Sequence, residues 1–163
     1  MVYYGIVAAA TILVSSAHSK GDHKQVRHTV GIALILAEAV ALLVLVGLIL
    51  GRHYLGYIFS DDPGIIAMTA LAILPMALYQ PADALQVIYS NALRGMEDVK
   101  HMALYACGVH LIIAPALCLL FGFGLGLEGG GIQLTDVWSA FPVSLLLLGF
   151  LLKRRFDHIS IPR

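Results

Sequence analysis

Charge is what this sequence has least of. Only 12% of its 163 residues are Asp, Glu, Lys or Arg, and the ten acids and ten bases cancel. A chain so poor in charge, 60% hydrophobic and with a mean hydropathy of +0.88, does not suit a soluble domain, in which roughly half the residues are apolar. Cysteine is nearly as scarce. Cys107 and Cys118 lie eleven residues apart, about 16 Å along one helix, which is too far for a disulfide and assigns them to packing. Zinc-ligand spacing, a nucleophile elbow and a GxxxxGK[ST] loop are all missing, so neither a soluble enzyme nor a nucleotide-binding site is expected. No basic stretch is interleaved with aromatics, so nucleic acid is not an expected partner either. The first residues carry neither a basic n-region nor a small-residue cleavage site, and they read as a retained helix instead of a signal peptide.

What remains is apolar sequence in long runs. A bilayer core about 30 Å thick takes about 20 apolar residues in helical form. That measure gives about five spans, at 1–18, 29–50, 64–92, 101–124 and 131–152, and predicts an all-α polytopic membrane helix bundle in a single domain over 1–163. The lipid bilayer is thus the first partner. Lys20, Lys24, Arg27, Arg94, Lys100, Lys153, Arg154, Arg155 and Arg163 fall at one set of turns and Arg52 alone at the other. Basic residues stay on the cytoplasmic side, so the N-terminus is expected outside and the C-terminus in the cytoplasm, with SDDP at 60–63 and the loop holding Glu128 outside. SDDP also reads as a helix start, with an acidic cap and Pro63 in the first turn.

Few ionisable residues lie deep in these runs, and each is costly there by at least about 2.5 kcal/mol, which points to function. Asp83, His110 and Glu38 each stand ten or eleven residues from a basic boundary, about 15–16 Å deep, in one layer of the membrane. Tyr79, Asp83, Gln86 and Ser90 share one stripe of the third run, within about 60° at 100° per residue. Asp83 and Tyr79 are the candidate cation-binding pair. Gln86, Ser90, His110 and Glu38 are candidate cavity-lining residues, although His110 also reads as a neutral ring bonded to a neighbouring helix. Pro75 and Pro81 deprive the carbonyls of Leu71 and Ala77 of their helical donors, as either packing kinks or hinges beside a cavity. Asp136 and Trp138 read as interfacial residues of an aromatic belt.

Taken in order, SKGDHKQVR, FSDDP, YQPADALQVIYSNALRGMEDVK, the proline of APALCL and the glycine-rich turn after it resemble the multidrug and toxic compound extrusion (MATE) transporters. DALQ followed by ALRG, an acidic pair and Lys is the most specific part. The family fold is twelve helices in two six-helix bundles, and the resemblance covers the later helices of the second, beginning within the eighth. It implies a secondary antiporter, not an enzyme, exporting drug-like organic cations in exchange for H⁺ or Na⁺ across a bacterial inner membrane, with no cofactor beyond that ion. Asp83 and Tyr79 match the family's cation site, whose other carboxylate belongs to a seventh helix outside this sequence. Ser15 and Ser16 replace a glycine-containing turn, His110 stands where an aromatic is expected, and Glu38 matches nothing in the pattern. Two other readings follow from the extent of the resemblance: a truncated, inactive or structural membrane protein, or a half that assembles with the missing first bundle or another copy of itself.

Overall fold

The computed structural model describes residues 3–124 and 134–161, and the described residues contain helices and no strand. Six α-helices follow in order: α1 (Tyr4–Ser19), α2 (His23–Tyr57), α3 (Pro63–Gly95), α4 (Val99–Gly108), α5 (Ala114–Leu119) and α6 (Leu134–Ser160). Four stretches are long and apolar enough to cross a membrane: His23–Tyr57, Pro63–Gly95, Val99–Gly122 and Thr135–Ser160. The fifth apolar run forms α1, whose 16 residues reach about 24 Å at 1.5 Å per residue. Glu128 and most of the glycine-rich run around it lie outside the described residues.

The packing is that of helices in lipid. On α2, Val26, Val30, Ala33, Ala37 and Ala41 are buried, while Ile35, Leu36, Leu43 and Leu50 point outward. Small residues inside let helices approach closely, and large ones outside meet acyl chains. α3 is the central element and packs against α2, α6 and α1. Gly56 shows how close that approach is: a Cβ there would stand 2.9 Å from the Cα of Ile66 across the α2–α3 turn. Backbone cannot move aside as a side-chain tip can, so Gly56→Ala is expected to cost about 1–3 kcal/mol. Gly47→Ala, which meets nothing within 4 Å, should leave stability unchanged or raise it. Thermal unfolding of the two variants in detergent checks the contrast, and equal midpoints would contradict it.

The turns are built by their sequences. Asp62 accepts a 2.7 Å hydrogen bond from the Gly64 amide at the start of α3, with Pro63 as the first helical residue, as SDDP predicts. α1 ends with Gly21 at φ 70°, where the Gly21 and Asp22 amides close on the His18 and Ala17 carbonyls, and Asp22 then caps α2. α3 ends the same way with Glu97 at φ 64°, a conformation costly for a residue with a Cβ. That turn delivers Asp98 to Arg155 of α6, whose Nε donates to Oδ2 at 2.6 Å.

The fourth apolar run is not uniformly α-helical. Val109–Ile113 and Leu120–Gly124 are π-helical turns on either side of α5. Pro115 lacks the amide that Leu111 would receive, and an extra residue in the turn before it accommodates the ring. By contrast α3 stays helical through both Pro75 and Pro81.

Candidate functional site

Asp83 is the one charged residue in the buried class among the described residues, with 3% of its surface exposed. Its position follows from α3 being the central helix, since the stripe that carries it faces α1. Two phenols close over the carboxylate. The Tyr79 hydroxyl, one turn earlier on the same helix, donates to Oδ1 at 3.4 Å, and the Tyr3 hydroxyl donates to Oδ2. Tyr3 is itself 2% exposed and precedes α1, so the site joins two helices. Glu38 is half-buried on α2. A carboxylate with two phenolic oxygens is a hard oxygen donor set, suited to a proton or a hard cation and too poor in nitrogen and sulfur for zinc. Among the described residues, three or more His, Cys, Asp or Glu side chains nowhere converge as a metal site.

Two cavities flank this closed section of α3. One, of about 500 Å³, lies between α3 and α6 and is lined by Pro75, Met76, Tyr79, Gln80, Trp138, Phe141 and Pro142. Its walls are apolar and aromatic, with the Trp138 and Phe141 rings 6.1 Å apart and tilted by 57°. Pro142 leaves the Trp138 carbonyl without its helical donor, as Pro75 leaves that of Leu71. The other cavity, of about 370 Å³, lies towards the basic end of the bundle, where Tyr4, Gln86, Ser90, Asn91, Arg94 and Met102 line it. The Gln86 Oε1 is buried without a hydrogen-bond partner. Along α3, therefore, an aromatic cavity, a buried carboxylate and a cavity of mixed polar and apolar lining succeed one another.

The structure brings Tyr79 and Asp83 together and adds Tyr3, whereas Glu38 makes no hydrogen bond to them among the described residues. Gln86 and Ser90 lie on the same stripe but line the second cavity. His110 does not join them: it sits in the first π turn with its side chain exposed on the outside of the bundle. Cys107 is likewise exposed, in place of the packing role read from sequence, whereas Cys118 packs beside the Val137 carbonyl. Tyr3 escaped the sequence reading because its partner is 80 residues away. Trp138 and Phe141 line a cavity in addition to the interfacial place read for Trp138. The signal for that pair was Pro142, a third proline inside an apolar helix, four residues after Trp138.

Known proteins are similar to this chain in sequence. The family model MatE matches residues 1–120. A probable multidrug resistance protein NorM of Bradyrhizobium diazoefficiens is 34% identical over 98% of the chain and 34% of its own length. The corresponding protein of Rhodopseudomonas palustris is 31% identical over 98% of the chain and 34% of its own length. Protein DETOXIFICATION 17 of Arabidopsis thaliana is 33% identical over 88% of the chain and 30% of its length. The chain spans about a third of the length of these relatives.

Proposed function

Because the chain belongs to the MatE family, we propose that it is the cation-coupling portion of a multidrug antiporter, in which Asp83 holds the H⁺ or Na⁺ exchanged for an organic cation. The observation that carries this reading is the buried carboxylate sealed by Tyr3 and Tyr79 between two cavities. A coupling ion needs a site closed from both sides, and a neutralised carboxylate tolerates burial better than a charged one. The tyrosine hydroxyls satisfy the charged form. An arriving Na⁺ takes phenol oxygens as ligands, whereas a proton turns one carboxylate oxygen into a donor and displaces a phenol.

The aromatic cavity supplies the substrate side. Trp138, Phe141 and Tyr79 offer π faces to a lipophilic cation, each worth about 0.5–2 kcal/mol when water is excluded. Tyr79 lines that cavity and bonds Asp83, so its ring couples the two sites. A substrate and an ion that prefer different positions of this ring exclude one another, which is the requirement for exchange. We place the N-terminus outside and the C-terminus in the cytoplasm of a bacterial inner membrane. The basic residues support that orientation, because they gather where α1, α3 and α6 end and α2 and α4 begin.

The test is a chimera in which residues 1–163 replace the corresponding third of a NorM relative, assayed for ethidium efflux from vesicles under an imposed Na⁺ or H⁺ gradient. Efflux that rises with one of the gradients is expected. A correctly inserted chimera whose efflux ignores both gradients would overturn the proposal.

A further inference from the structure

A third cavity, outside this machinery, lies at the basic end of the bundle. It has a volume of about 320 Å³ and is lined by Tyr105 of α4 and by Leu151, Arg154, Arg155 and His158 of α6. The α6 residues recur at three- and four-residue intervals, which puts them on one face. The two arginines differ in freedom. Asp98 takes the Nε of Arg155 and so fixes the orientation of its guanidinium. Arg154 makes no ion pair among the described residues, and its side chain is exposed. The other nearby acid on this helix, Asp157, is not among the residues that line the pocket. The pocket is therefore positive, with one oriented guanidinium, one free one, a phenol and an imidazole.

One helical turn deeper the same face becomes apolar. Phe150 is 59% exposed, and Leu147 beside it is also exposed. On α4, Gly108 lies three residues after Tyr105, and nothing stands within 4 Å of where a Cβ would be. Exposed apolar residues of α6 and an open glycine position on α4 thus follow the basic pocket along the two helices. Arginine forks match phosphate oxygens in pairs, and basic pockets between transmembrane helices hold anionic headgroups.

We infer that this pocket binds the phosphodiester headgroup of an anionic phospholipid, with Arg154 and Arg155 on the phosphate and an acyl chain along Phe150, Leu147 and Gly108. Charge complementarity selects the headgroup, and the exposed apolar residues select a lipid over a free anion. The site lies away from Asp83 and the aromatic cavity, and it stands or falls apart from the transport reading.

Native mass spectrometry of the 163-residue chain, released from detergent with phosphatidylglycerol or phosphatidylcholine of equal chain length, tests it. Arg154 contributes about fivefold, the charge of Arg155 being offset by Asp98, so a preference of roughly fivefold for phosphatidylglycerol is expected. Arg154→Gln should lower that preference about fivefold. Arg154→Lys should keep most of it, and Lys153→Gln, an exposed cation outside the pocket lining, should leave it unchanged. Inorganic phosphate at millimolar concentration should not displace the lipid. Equal retention of the two lipids, an unchanged preference in Arg154→Gln, the same loss in Lys153→Gln, or displacement by phosphate alone would each overturn the assignment.

Discussion

Asp83→Asn in the NorM chimera is expected to abolish gradient-driven efflux while leaving the protein folded and inserted. Asn keeps the shape of Asp and can still meet both tyrosines, its oxygen accepting from one hydroxyl and its amide donating to the other. What it loses is the charge that takes up a proton or binds Na⁺. Two unit charges about 4 Å apart attract by about 4 kcal/mol at an effective dielectric of about 20. Removing the carboxylate charge therefore weakens cation binding by about two orders of magnitude or more. Efflux from everted vesicles should fall to the level of vesicles lacking the chimera, with the circular dichroism spectrum unchanged. Replacing both Tyr3 and Tyr79 with Phe should give a smaller loss, because the charge remains while its two donors go. Full coupled efflux in Asp83→Asn, or a greater loss in the double Phe variant, would contradict this ordering.

The second large effect concerns stability at the basic end. Asp98 accepts from Arg155 and lies 2.6 Å from the His101 Nδ1, a spacing that assigns the proton to that nitrogen. The Arg155 Nη2 at 3.1 Å from the same nitrogen is then a second donor beside one shared carboxylate. Burial alone would raise the Asp98 carboxyl above its ordinary value. The hydrogen bonds from Arg155 and His101, with their charges, outweigh that and hold it below 3.8. The side chain of Asp98 is 14% exposed, so this ion cluster is better shielded than an ordinary surface pair. Asp98→Ala should cost about 2 kcal/mol and lower the unfolding temperature in detergent by about 5 °C.

The sign of the pH dependence follows from the lowered carboxyl. Its stabilisation is complete above the ordinary value of 3.8 and is lost as pH falls through the lower folded value. The wild-type chain should therefore lose stability from this group only below about pH 4, and Asp98→Ala should lack that component. An Asp98→Ala midpoint equal to wild type at pH 7 would show that Arg155 finds equal partners elsewhere.

Much of this architecture is written in local patterns. Hydropathy placed the long helices, and the SDDP cap, the Asp83–Tyr79 spacing and the polar stripe all depend on contacts within one or two turns. Local rules also have a range, and the chain exceeds it in three places. Tyr3 meets Asp83 across 80 positions, and no periodicity links them. His110 stands about as far along the sequence from a basic turn as Asp83 does, but that spacing does not fix azimuth, and the structure turns it outward. The π turns around Pro115 depend on how one ring is accommodated, which hydropathy does not encode. Spacing from the basic turns leaves helix rotation free, and rotation decides which side chains meet Asp83.

The proposed antiport mechanism requires that Asp83 itself takes the coupling ion. Infrared difference spectroscopy of the chimera in lipid, on adding Na⁺ or lowering pH, reads that group directly. A change in a carboxylate or protonated carboxyl band is predicted, with a matching perturbation of a tyrosine ring mode, and both should be absent in Asp83→Asn. Difference spectra that superimpose for the two proteins would contradict the account.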